Sequence, residues 1–181
     1  MLVPAIVGAL LLAVLSTAAD YVWFLGIPSH HWYSGVIHGA VLFAALGGYL
    51  GFRKGKFGTG ALGGIASGIL AAGSFYVLAP LGGYNMMVVS WFVLWIALAT
   101  LQTSLDPSTP LRAGGATIVA RGIGRGIVTA IVAGLGFAVV LFQLYKGWPP
   151  ATFPAVKHFV AWSMAYFPGL YLLLQKPAAG K

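Results

Sequence analysis

The chain has 181 residues, of which 60% are hydrophobic and only 7% are charged. Soluble globular proteins carry about 25% charged residues. The composition therefore excludes a separate soluble domain, and we predict a single membrane-embedded domain over residues 1–181. The net charge is +8, but the basic residues lie between apolar runs, as in loops that flank membrane helices, so we predict no nucleic-acid partner.

The first apolar run, residues 3–25, has the length of a membrane-spanning helix. It resembles a signal peptide, but no Lys or Arg precedes it, so we interpret it as the first helix of the protein. Pro28 then marks a short turn. The second predicted helix, residues 32–52, ends at a basic cluster that begins at Arg53.

Four further apolar runs complete a predicted bundle of six membrane helices: residues 59–78, 84–105, 122–145 and 154–174. Pro80 is expected to end the third helix, because proline cannot donate the next backbone hydrogen bond. Pro168 lies inside the sixth helix and is expected to kink it.

The basic residues support this count of six helices. If the N-terminus is cytoplasmic, only Lys146 and Lys157 face the opposite side of the membrane. The other eight of the ten Lys and Arg residues face the cytoplasm: Arg53, Lys54, Lys56, Arg112, Arg121, Arg125, Lys176 and Lys181. The positive-inside rule therefore predicts that both termini are cytoplasmic, in a membrane that we expect to be a bacterial inner membrane.

Glycines recur at helical spacing and predict close packing of the helices. Small residues matter here because lipid supplies no hydrophobic drive between helices. This packing, within one bundle or between copies, is predicted for Gly35 and Gly39, for Gly60, Gly64 and Gly68, and for Gly122 and Gly126.

Asp20 and His38 are predicted to lie at one depth in the membrane. Each is five or six residues from the same interface, which places both roughly 8 Å below it at 1.5 Å per residue. A short turn makes the first two helices antiparallel neighbours. Because a charged group at membrane depth usually faces the protein interior and has a partner, we expect the two side chains to form a buried pair.

Other polar and aromatic residues fall near the same level and predict a chamber that opens to the non-cytoplasmic side. Together with Asp20 and His38, its predicted members are Trp32, Tyr76, Tyr84, Asn85, Gln143 and His158. An alternative interpretation is an aromatic belt at the membrane interface.

The residue types argue against most chemistry. The chain has no cysteine, and its serines have no base and acid beside them in the sequence, so we predict that it is not an enzyme. A non-haem metal site would need more carboxylates than Asp20 supplies. We therefore expect no cofactor, although haem bound axially by His38 and His158 is an alternative.

Six helices with cytoplasmic termini in a short chain resemble the Insig family of sterol-regulatory membrane proteins and their bacterial relatives. The resemblance rests on the aromatic start of the second helix, His31-Trp32-Tyr33-Ser34-Gly35, with its basic end. It also rests on the start of the fifth helix, Arg121-Gly122-Ile123-Gly124-Arg125-Gly126. The resemblance implies a central cavity that holds a sterol or diacylglycerol-like lipid.

The sequence therefore predicts a non-enzymatic membrane protein that binds a hydrophobic or amphipathic ligand, such as a lipid, between its helices. Two alternatives remain open. One is an accessory subunit of a larger membrane complex, or a homo-oligomer, with glycine stripes as the contact surfaces. The other is a small proton-coupled transporter that uses Asp20 and His38.

Overall fold

The fold is all-helical in a computed structural model, which describes residues 1–26, 32–106, 115–144 and 154–175. Side chains of the fifth helix are described over residues 119–138. In this part of the chain there are no strands. The helices are α1 Leu2–Gly26, α2 Trp32–Phe52, α3 Phe57–Gly82, α4 Met87–Leu105, α5 Gly115–Leu144 and α6 Ala155–Leu174, with a short 3-10 helix, Gly83–Met86, before α4.

The six α-helices form a closed ring in which consecutive helices are antiparallel neighbours and α1 packs against α6. The α3–α4 pair, for example, is joined by a hydrogen bond between Ser74 and Ser90. A bond between Ser16 and Tyr166 closes the ring between α1 and α6. α4 also contacts α2 and α6. Its Trp95 and Leu98 are therefore fully buried in the core.

Within the described residues, four stretches are long and apolar enough to cross a membrane: Leu2–Leu25, Trp32–Phe52, Phe57–Leu105 and Val119–Ala138. The third stretch has 49 residues and contains α3 and α4. A single helix of that length would measure about 74 Å, more than twice the roughly 30 Å hydrocarbon core. The chain instead turns at Gly83, where the backbone φ of 57° favours glycine.

Two helix boundaries differ from the prediction by four residues or more. α3 continues through Pro80 to Gly82, whereas it was expected to end before the proline. Pro80 removes one backbone hydrogen bond, and only Leu81 and Gly82 follow it, so the last turn of the helix accommodates the proline. α5 begins at Gly115 rather than at residue 122. Gly122, the predicted first residue, lies inside the helix, where the absence of a side chain leaves room for Thr100 of α4.

Glycines bring neighbouring helices into backbone contact. A Cβ added to Gly64 of α3 would overlap the carbonyl oxygen of Phe43 in α2, and one added to Gly122 of α5 would lie 2.6 Å from Thr100 Cα in α4. Such close approach favours association of helices in lipid. The seven glycines predicted to pack helices all lie against a neighbouring helix: Gly35, Gly39, Gly60, Gly64 and Gly68 between α2 and α3, and Gly122 and Gly126 against α4.

The antiparallel ring gathers five of the six described Lys and Arg residues at one end of the bundle, which we call the basic end: Arg53, Lys54, Lys56, Arg121 and Arg125. Two of these side chains donate hydrogen bonds to backbone carbonyl groups at the C-terminal ends of helices. The Arg125 guanidinium donates to the carbonyl oxygens of Leu172 and Leu173 at 2.9 and 2.8 Å. Lys56 donates to Leu105 at 3.3 Å. Cations are stabilising at helix C-termini, so these bonds secure α6 and α4.

Candidate functional site

A cavity of about 680 Å³ lies between the helices, in the half of the bundle opposite the basic end. Every α-helix contributes to its wall. Most of the wall is apolar, with Leu42, Phe43 and Leu94 among its residues. Polar groups concentrate where α1, α2 and α6 meet, around Asp20 and His158. Such a combination of apolar walls and a few polar groups is typical of sites for small ligands.

Asp20 is the centre of the polar cluster, and its carboxylate is bonded to α6. Oδ2 lies 2.9 Å from Nδ1 of His158 and accepts a hydrogen bond of 2.6 Å from the indole N–H of Trp162. The Asp20 side chain is 13% exposed, and His158 is 1% exposed. Hydrogen bonds of this kind are what a buried carboxylate requires, since its charge is otherwise costly in the membrane.

His38 approaches the same carboxylate from α2. Its Nε2 lies 3.7 Å from Asp20 Oδ1, within the range of an ion pair but too far for a hydrogen bond. The predicted Asp20–His38 pair is therefore incomplete, because the hydrogen bonds of Asp20 go to α6. The physical reason is that α1 packs more extensively along α6 than along α2. The imidazole also packs edge-on against Trp23, with ring centroids 5.3 Å apart.

A second polar contact, one turn deeper, continues the α1–α6 interface. The hydroxyl groups of Ser16 and Tyr166 are 2.8 Å apart and buried. Ser16 precedes Asp20 by four residues, and Tyr166 follows Trp162 by four, so each pair lies on one helix face. Our sequence prediction did not include Ser16, Trp162 or Tyr166. The four-residue spacing of His158, Trp162 and Tyr166 was the signal that would have identified this face.

The remaining predicted site residues divide into two groups. Tyr76 and Tyr84 line the cavity with Asp20, His38 and His158. Trp32 and Asn85 are exposed and do not line it, so the predicted chamber does not extend to them. Their positions at the ends of α2 and of the turn before α4 fit the interfacial alternative. The prediction for Gln143 lies outside the described side chains.

Trp91 lines the cavity and carries a buried donor that needs an acceptor. The residue is 4% exposed, and its ring stacks on Phe137 with centroids 4.3 Å apart. Its indole N–H has no hydrogen-bond partner among the described residues. A buried donor without an acceptor is destabilising by about 1–3 kcal/mol. A ligand oxygen in the cavity would remove this penalty.

The histidines do not fit the alternative of haem with two axial ligands. Such ligands face each other across the iron, whereas His38 and His158 contact the two oxygens of one carboxylate, which lies between them. The described residues also contain no group of three His, Cys, Asp or Glu side chains arranged to hold a metal ion.

A comparison of the chain with protein-family models, with curated proteins and with solved structures gives no match. The resemblance to the Insig family therefore stays a prediction. The cavity and the residues that line it are the features of the molecule that bear on its function.

Proposed function

We propose that this protein binds an amphipathic ligand, such as a lipid, in the cavity between its helices. The observation that carries the proposal is the pairing of a mostly apolar cavity with one polar cluster around Asp20. Its volume of about 680 Å³ lies within the roughly 300–1,000 Å³ that ligand sites occupy. An apolar tail would contact Leu42 and Leu94, while a polar group would reach Asp20 or Trp91.

The proposal includes a membrane setting with six spans. The ring is closed by α6, Ala155–Leu174, which has 20 residues and so spans about 30 Å. Removing α6 from the membrane would separate Asp20 from both of its hydrogen-bonding partners, His158 and Trp162. The eight-to-two distribution of basic residues supports cytoplasmic termini. The assignment to a bacterial inner membrane stays a prediction.

Cysteine labelling tests the topology, because the natural chain contains no cysteine. Arg53→Cys lies at the basic end, and Asn85→Cys lies at the opposite end of the bundle; both positions are exposed. In intact bacterial cells, an impermeant maleimide should label position 85 but not position 53. Both positions should react after the cells are opened. Labelling of position 53 alone in intact cells would reverse the orientation, and equal labelling would contradict the six spans.

Filling the cavity tests ligand binding. Ala79 lines the cavity, so the phenyl ring of Ala79→Phe should occupy ligand space. We expect native mass spectrometry of the purified wild type to show a co-purified amphiphile, and the variant to retain less than about a tenth of it, which corresponds to a loss of 1.4 kcal/mol. Val77→Phe, on the same helix but 75% exposed, is the matched control. Equal occupancy in the two variants would exclude this cavity as the binding site.

One observation also favours the proton-coupled transporter as a second candidate function. Asp20, His38 and His158 are proton-carrying groups that meet inside one cavity, and such intramembrane groups mark many proton and substrate paths. A pH gradient across proteoliposomes should then drive uptake of the co-purified amphiphile. Binding without uptake would favour the first proposal. The accessory-subunit alternative and the absence of enzymatic activity stay predictions.

A further inference from the structure

The charge balance of the cavity points to the chemistry of the ligand. The chain has two acidic residues. Asp106 lies at the basic end, where Lys54 is 2.9 Å from its carboxylate. Asp20 lies in the cavity, and none of the described Lys and Arg side chains lines that cavity. Among the described residues that line the cavity, only the two imidazoles could balance the charge of Asp20, and a carboxylate without a full counter-charge is costly inside a membrane.

The geometry of Asp20 shows where a counter-charge would bind. The two hydrogen-bonding contacts with α6 converge on Oδ2. Oδ1 has His38 at 3.7 Å as its nearest charge partner among the described residues. An ionised carboxylate accepts about four hydrogen bonds. Oδ1 therefore retains capacity for a donor from the ligand.

Aromatic side chains that line the same cavity suit this kind of head group. Trp23, Tyr76 and Trp162 line the cavity with Asp20. The faces of indole and phenol rings attract cations within about 6 Å, and Trp does so most strongly. A cation in this part of the cavity would contact both the carboxylate and aromatic rings. It would lie beside the apolar wall, which would contact the tail of the same ligand.

From these observations we infer that the ligand is an amphiphile with a cationic, amine-type head group bound at Asp20 Oδ1. This inference rests on the proposed ligand-binding function and specifies its ligand class. An anionic head group would place a second negative charge beside Asp20. A neutral head group would add no counter-charge to the carboxylate.

Three single-chain probes with one tail and different head groups test the inference: octylamine, octanol and octanoate at pH 7.5. Binding to purified protein in an uncharged detergent is followed by tryptophan fluorescence, because Trp23, Trp91 and Trp162 surround the cavity. We expect octylamine to bind at least about tenfold more tightly than octanol, a difference of 1.4 kcal/mol, and octanoate to bind most weakly.

Two variants, each of which removes one negative charge, test whether Asp20 causes the preference for octylamine over octanol. Asp20→Asn should abolish the advantage of octylamine over octanol. Asp106→Asn, at the opposite end of the bundle, should preserve it and so controls for net charge. If Asp20→Asn fails to fold, the order of the three affinities for the wild-type protein still tests whether the site prefers a cationic head group.

The possible failures are distinguishable. Equal binding of the three probes, competed by the co-purified amphiphile, would overturn the cationic head group but leave the ligand site intact. Tightest binding of octanoate would also overturn it, and would indicate that the histidines carry the positive charge. If no probe binds and the wild type carries no amphiphile in native mass spectrometry, the proposed function itself fails.

Discussion

Gly64→Leu is expected to lower the free energy of unfolding by about 3 kcal/mol, near the upper end for an overpacked site. The reason is the contact that a Cβ at this position would make. It would overlap the carbonyl oxygen of Phe43, which is backbone and cannot move aside as a side chain does. Leucine would therefore force α2 and α3 apart along their whole crossing. Unfolding in mixed micelles of mild detergent and SDS measures the loss.

Gly73 provides the matched control on the same helix. A Cβ at this position would meet no heavy atom within 4 Å, so Gly73→Ala adds a side chain without displacing a neighbour. Alanine favours the helix over glycine by roughly 0.5–1 kcal/mol. The control should thus be neutral or stabilising. If Gly64→Leu were as stable as Gly73→Ala, the α2–α3 crossing would be looser than the structure shows.

The sequence predicted the helices well, and α1 to α5 lie largely in apolar stretches long enough to cross a membrane. It also predicted the glycines that pack the helices, since their four-residue spacing is local information. It placed the start of α5 too late, at residue 122 rather than Gly115. The glycines there resemble a helix boundary in the sequence, whereas in the structure they accommodate Thr100 and Ile96 of α4.

The candidate site was harder to predict, because its partners are distant in the sequence. Depth counting brought Asp20, His38 and His158 to one level, and the structure places all three in one cavity. The depth of a residue, counted from the end of its helix, does not show which helices are neighbours. It could not show that α1 packs mainly on α6, the contact that closes the ring of helices. It therefore missed Trp162, the donor of a hydrogen bond to Asp20. Trp32 was included for its depth, although depth does not determine which way a side chain faces.

The order of contacts around Asp20 gives a prediction about energetic coupling. Asp20→Asn and His158→Gln should each lower the free energy of unfolding by about 1–3 kcal/mol, because each leaves a buried polar partner unsatisfied. The double variant should lose less than the sum of the two, with a coupling energy of roughly 0.5–3 kcal/mol. The 2.9 Å contact between the carboxylate and the imidazole is the physical reason.

A second cycle, Asp20→Asn with His38→Gln, is the matched comparison. Its coupling energy should be smaller, since 3.7 Å separates Nε2 from Oδ1 and no hydrogen bond joins them. Both cycles use the same Asp20 variant and the same change of histidine to glutamine. The difference between the two coupling energies therefore reports which helix, α6 or α2, holds the carboxylate more strongly. A larger coupling for His38 would show that Asp20 is held by α2, as depth counting alone had suggested. The cavity would then be bounded by the α1–α2 hairpin rather than by the contact between α1 and α6 that closes the ring.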